Sequence, residues 1–206
     1  MIPNAVDTSF PRKTANDIQA MRASMKLTDA TLNAVCVARQ HHQKGIDVLL
    51  RGLTLLNDTA RRRLSVSLIG DGPDRADLEG LAGDLGLGDT VRFLGWHDDP
   101  RRILEAFDLF LLPSRSEGQP IALLEAMAAG LPVIATRIAG TEEALLGGRL
   151  GELVPSERPE ALAEAVARFI ADPAPLRQKA AGGPEHIRHH HGIEAAMKRT
   201  IALWRE

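Results

Sequence analysis

Short, nearly continuous apolar runs alternate along this chain with longer segments whose apolar residues recur every three or four positions. The runs Leu32 to Ala38, Leu64 to Ile69, Thr90 to Leu94, Leu109 to Leu112 and Pro132 to Thr136 lack strict alternation, as strands covered on both faces do. Gly151 to Val154 reads as a last edge strand. Between them, helical spacing runs over Lys44 to Leu56, Asp74 to Asp84, Pro100 to Phe107, Pro120 to Ala129 and Glu142 to Leu146. Before the first strand, Thr14 can cap a helix reaching about Lys26, with Ile18, Met21 and Met25 on one face. Tail helices are expected near Glu160 to Ala171 and Glu194 to Trp204, with Pro173, Pro175 and Gly182-Gly183-Pro184 breaking the region between. Alternating strands and helices predict parallel βαβ units with right-handed crossovers, hence an α/β fold with a doubly wound parallel sheet. In such a sheet the ligand lies at the carboxyl ends of the strands.

Composition changes this picture little. The 206 residues carry 25 Lys plus Arg against 27 Asp plus Glu, a net charge of -2 that argues against a nucleic-acid partner. Cys36, the single cysteine, sits in an apolar run and reads as a buried reduced thiol. No stretch approaches the roughly 18 apolar residues of a membrane span, and the first ten residues lack a signal-peptide core, so the expected location is cytoplasmic. Aromatic residues make up 3%, with no tyrosine, so stacking on rings is poorly supplied.

Candidate chemistry sits in the loops after the strands. The first offers Arg39 just past the strand and Lys44 at the expected start of the next helix. A helix start repels cations, so Lys44 there calls for an anion, such as a phosphate held with Arg39; the alternative is a solvated surface lysine. The second loop, Gly70-Asp71-Gly72-Pro73, lacks the third glycine of a dinucleotide fingerprint, because Arg75 stands in its place. The third contains His97, read as a solvated or hydrogen-bonded residue rather than a general base, and Trp96, read as a cover for a helix end. The fourth runs from Pro113 to Pro120, where a glycine beside a helix opening at Pro120 exposes backbone N–H groups to an anion. Glu117 precedes that helix, and Glu125 lies within it among apolar neighbours, where a carboxylate persists only if paired. His189 to His191 read as solvent-facing rather than metal-binding.

The block from Ser116-Glu117-Gly118-Gln119-Pro120 through Leu124-Glu125-Ala126-Met127 to Thr136 resembles the Glu-x7-Glu segment of the group 1 (family four) retaining glycosyltransferases. Pro3-Asn4-Ala5-Val6-Asp7, Val37-Ala38-Arg39, Lys44-Gly45, Ile69 to Pro73, Val91 to Gly95 and Ala139 to Glu143 resemble further motifs of that family in the same order. The resemblance implies a Rossmann-like domain, the carboxy-terminal, nucleotide-sugar-binding half of a two-domain fold of the GT-B type. It divides the chain into a linker (1–13), a donor-binding domain (14–190) and a terminal helix (191–206) expected to pack toward an amino-terminal acceptor domain. By the same resemblance, Glu117, Arg39 and Lys44 are catalytic: the two cations hold the donor diphosphate, and Glu117 touches hydroxyls of the donor sugar. Glu125 accepts hydrogen bonds from the ribose. Gly118, Gln119, Pro120, Ile121 and Gly72 line the donor, and Arg92, Phe93 and Leu94 receive the base, largely through backbone.

No cofactor or metal is implied, since no Asp-x-Asp triplet occurs; the substrate is a nucleotide sugar such as a UDP- or GDP-sugar. Ala38 replaces a family glycine and crowds the approach of backbone to phosphate, while Gln119 replaces an aromatic residue. The implied partners are the donor and a sugar, lipid-linked or other acceptor held by the amino-terminal domain, with peripheral membrane association open for the full-length enzyme. The chain is then expected to be a fragment that binds donor weakly without transferring sugar. Two alternatives stay open: a nucleotide-sugar-binding subunit or regulatory module completed by a separate chain, and a nucleotide-sugar epimerase.

Overall fold

The computed structural model describes residues 4–9 and 13–203, with side chains as far as 198. Among the described residues, six parallel strands form one sheet: β1 (Leu32–Val37), β2 (Leu64–Ile69), β3 (Val91–Gly95), β4 (Leu109–Leu112), β5 (Val133–Thr136) and β6 (Glu152–Val154). Their spatial order is β3-β2-β1-β4-β5-β6, the doubly wound arrangement expected from the pattern. β1 and β2 pair in register over six residues, from Leu32 opposite Leu64 to Val37 opposite Ile69.

Both faces are covered, so each strand divides its side chains between two cores. Ala34, Cys36, Leu109 and Leu111 enter one core, with Leu49 and Leu53 of α2 (Ile46–Thr54) and Val166 of α7 (Pro159–Ala171). Val35, Phe110 and Leu112 enter the other, with Leu123 and Met127 of α5 (Ile121–Ala128) and Ile187 of α9 (Gly183–His190). This explains the unbroken apolar runs of β1, β4 and β5: alternate residues face opposite ways, yet neither face meets water, whereas the edge strand β3 leaves Leu94 exposed. Burial also pushes the Cys36 thiol up to about 12, which leaves it protonated and inert.

The helix α1 (Ala15–Ser24) opens on a reciprocal cap, in which the Asp17 N–H donates to Thr14 Oγ1 and the Thr14 N–H to Asp17 Oδ2. α4 (Arg75–Asp84), α6 (Ala139–Ala144) and α10 (Ile193–Leu203) fall close to the expected segments. Four departures are instructive. Residues 100–106 wind as a 3₁₀ helix rather than an α-helix. A short α3 (Asp58–Arg62), capped by the side chain of Asn57 onto the Ala60 N–H, was not expected. The supposedly broken stretch after α7 holds α8 (Ala174–Ala180) and α9, because its prolines occupy the first turns, where a missing N–H costs nothing. The lead-in is also no free tether: Val6 is buried, its N–H donates 2.8 Å to the carbonyl of His191, and its carbonyl accepts from Ile193.

Leu111 lies fully buried on β4, at the centre of the sheet, and marks the core's sensitivity. Leu111→Ala should cost about 2–5 kcal/mol in urea unfolding, whereas Leu55→Ala, at an exposed position, should shift stability by under about 0.5 kcal/mol.

Candidate functional site

β1 and β4 are neighbours whose following loops diverge to opposite faces of the sheet, and a cleft of about 570 Å³ opens at their carboxyl ends. One wall is the loop after β1. There a 3₁₀ turn (His42–Lys44) precedes α2, and Gly45, at φ 62°, joins the two. A Cβ on Gly45 would lie 2.1 Å from the carbonyl oxygen of Pro113, so only glycine lets the loops after β1 and β4 touch backbone to backbone. Lys44 therefore closes the 3₁₀ turn rather than opening α2. The anion it was expected to need is supplied by the chain itself: Lys44 Nζ lies 2.7 Å from Glu117 Oε1.

Glu117 is nearly buried, with 8% of its side chain exposed. Its Oε1 also accepts from Ser114 Oγ at 2.8 Å, so both bonds fall on one oxygen and Oε2 takes none among the described residues. Arg115, one of the unremarked residues of this loop, fixes the geometry. It makes a two-pronged ion pair with Asp47 (2.8 Å on each prong), donates to the His42 carbonyl at 2.6 Å, and reaches Glu157 at 3.1 Å. This fork holds the Asp47 carboxyl below the usual carboxylate range. Gln43 adds a bond from Nε2 to the Ser116 carbonyl at 2.9 Å. On the far side, a Cβ on Gly140 would meet the Gly118 carbonyl at 2.3 Å, so the 117–118 backbone rests directly on the start of α6.

Arg39 is exposed, lines the same cleft, and has no ion pair among the described residues. Gly118 is open to solvent with free space where a Cβ would stand, and Pro120 takes the N-cap position, one residue before α5 begins. The N–H groups of Ile121 and Ala122 thus have no partner within the helix, whereas those of Leu123 and Leu124 donate to the Pro120 carbonyl at 3.1 and 3.2 Å. Gln119 is held from two directions: its Oε1 and carbonyl take the N–H and side-chain amide of Asn4, and its Nε2 lies 3.4 Å from His191 Nδ1. His191 is therefore buried, unlike its exposed neighbours His189 and His190, which corrects its reading as solvent-facing.

Glu125 lines the cleft from α5 with 15% of its side chain exposed. Burial lifts its pKa to about 6, although Arg101 approaches to 3.7 Å and works against the shift; Asp99, which binds Arg101 two-pronged at 2.8 and 3.0 Å, reinforces it. Arg101 and its tie to Asp99 were not anticipated, because nothing in their spacing points toward α5.

The expected residues do not all converge. Glu117, Glu125, Arg39, Lys44, Gln119, Pro120 and Ile121 line the cleft. Gly72 serves another close approach: a Cβ there would strike the Gln40 carbonyl at 2.2 Å. Arg92 turns away, donating from Nη2 to the Met25 carbonyl at 2.8 Å, and Phe93 packs on the core. At this strand end the wall is instead Trp96, His97 and Asp98. Trp96 covers no helix end; it is 74% exposed, with its indole N–H 3.1 Å from Asp98 Oδ1.

Residues 31–172 match the family model described as glycosyl transferases group 1. The chain belongs to that family. It is 38% identical over 136 residues to the lipopolysaccharide core biosynthesis glycosyltransferase LpsE of Rhizobium meliloti, an alignment covering 66% of this chain and 40% of LpsE. It is 34% identical over 186 residues to the GDP-mannose-dependent alpha-(1-6)-phosphatidylinositol monomannoside mannosyltransferase of Mycolicibacterium smegmatis (84% of this chain, 47% of the relative). The structure of Anabaena HepE in complex with UDP and glucose superposes with a TM-score of 0.90 at 21% identity, over 99% of this chain and 56% of that one. This group 1 domain thus has the Rossmann-like fold of GT-B glycosyltransferases and spans about half the length of the curated relatives it matches. No helix among the described residues is long and apolar enough to cross a membrane.

The raised pKa of Glu125 carries a sign. The folded domain holds an extra proton between the ordinary value of 4.5 and about 6, so its stability should fall as pH rises through that window. Urea titrations at several pH values should show this decline, and Glu125→Gln should flatten it.

Proposed function

We propose that the cleft binds the nucleoside diphosphate sugar of a glycosyltransferase that transfers the sugar, with retention of configuration, to an acceptor held by another domain. The observation that carries this reading is the Lys44–Glu117 pair at 2.7 Å, set at the switch point of the sheet with the exposed cation Arg39 beside it. Such a pair is suited to exchange partners. A diphosphate arriving between Arg39 and Lys44 replaces part of the field that Glu117 supplies to the ammonium, and Glu117 turns its unbonded Oε2 to the sugar hydroxyls. As the leaving diphosphate gains charge, the two cations and the N–H groups opening α5 stabilise it. In this reading Glu125, in its ionised form, accepts the ribose hydroxyls. The matched mannosyltransferase is named for a GDP-sugar and HepE was crystallised with UDP, so the base could be either guanine or uracil.

Calorimetric titration with UDP and GDP tests the assignment. Lys44→Ala and Glu125→Ala should each weaken the preferred nucleotide by about 1–3 kcal/mol, as losing a charge-assisted hydrogen bond does. Glu117→Ala should behave oppositely toward the bare nucleotide, sparing or improving its affinity because Lys44 is released, while removing the added affinity of the attached sugar. Equal affinities in all four proteins would place the site elsewhere. Sugar transfer by the full-length enzyme, and its absence from this domain alone, separates the transferase from an epimerase or a self-sufficient module.

A further inference from the structure

A second polar cavity, of about 530 Å³, lies at the opposite pole, against the amino ends of β2 and β3. Four cations line it, Lys26, Arg61, Arg62 and Arg92, against the single acid Asp89. In a chain of net charge -2 that is a marked local excess. Like charges lining one cavity repel one another, and an anion among them offsets that repulsion.

The cations are partly prepared. Arg92 is pinned by its bonds to the Met25 and Lys26 carbonyls at 2.8 and 3.3 Å, which leaves other N–H groups of its guanidinium unspent. Arg61 shares its charge with Asp58 at 2.9 Å. Lys26 and Arg62 are exposed and have no ion pair among the described residues. Lys26 also adopts left-handed backbone, φ 55°, at the close of α1, a position that glycine usually fills. A lysine kept there places a charge at the rim despite an unfavourable backbone.

The remaining lining adds hydroxyls from Thr31, Ser65 and Thr90. The wall also contains Asn33, buried with its side-chain oxygen lacking any hydrogen-bond partner, while its amide nitrogen donates to the Thr28 and Thr31 carbonyls. Cations for phosphate oxygens beside hydroxyls and a carboxamide for alcohol groups form a mixed site.

We infer that this amino-end pocket binds a small phosphomonoester bearing hydroxyl groups, with Lys26, Arg61, Arg62 and Arg92 on the phosphate. The site is separate from the donor cleft and does not depend on the function proposed for it. A forked guanidinium beside a mobile ammonium is the donor set that phosphate recognition favours. The same phosphomonoester occurs on free glycerol phosphate and on phosphatidic acid, whose glycerol hydroxyls are acylated; the four cations can take either, and the hydroxyl and carboxamide lining favours the free ester.

The test follows backbone amide NMR shifts of the 206-residue chain during titration with sn-glycerol 3-phosphate. Saturable shifts of Ser65, Thr90 and Gly86 are expected, unchanged in Lys44→Ala and weakened at least about tenfold in the Lys26→Ala/Arg62→Ala double variant, by analogy with other phosphate sites. Both positions of the double variant are exposed, and an unperturbed spectrum elsewhere verifies its fold. A parallel arm uses phosphatidylcholine vesicles with about 30% phosphatidic acid, a strongly anionic surface. Vesicle binding lost in the double variant, without shifts from the soluble ester, assigns the lipid headgroup; shifts without vesicle binding assign the free ester. Shifts confined to the donor cleft, or equal affinity in the double variant, would overturn the inference.

Discussion

The chemistry of this domain depends on one constraint, that β1 and β4 lie side by side and parallel while their crossovers run to opposite faces of the sheet. Divergence of the following loops opens the cleft, and Gly45 against Pro113 sets how near they come. With one more carbon at position 45 the loop carrying Lys44 would have to withdraw from the one carrying Glu117. Glycine at this point is thus a distance setting for an ion pair a residue away on one side and four on the other.

Charge is arranged around that contact in two tiers. Arg115 spends four of its five N–H donors on Asp47, Glu157 and the His42 carbonyl, which suits a fixed frame. Lys44 and Glu117, by contrast, meet through a single oxygen and leave acceptor capacity over. A frame that cannot rearrange, holding a pair that can, gives both a defined geometry and the ability to accept a ligand without rebuilding the loops.

Much of the fold was legible in the residues because the central strands are buried on both faces, so their apolar runs mark them. Glu117, Glu125 and Lys44 were singled out by their places in the strand-end loops and by the family resemblance, and all three line one cleft. What was not legible had physical reasons. Pro173 and Pro184 interrupt a helix read from within but initiate one read from its first turn, and local composition is the same in either case. The sequence neighbourhood of Lys44 called for an anion without saying whether it was a ligand or Glu117, a residue distant along the chain. Arg92 is the second residue of β3, and only the fold shows that its guanidinium reaches back to the Met25 and Lys26 carbonyls. His191 looked like its two neighbours, yet it alone falls where α9 ends and the chain meets Val6.

That meeting of Val6 with His191 and Gly192 has a thermodynamic consequence for the turn before α5. Asn4 and His191, which flank the junction, are the partners of Gln119. Peeling either segment away uncovers Val6 and at the same stroke strips Gln119 of its anchors, so the junction and the turn should open as one cooperative unit rather than fray separately. Amide protons of Gly118 and Gln119 would then exchange through the same opening as those of Val6 and Ile193.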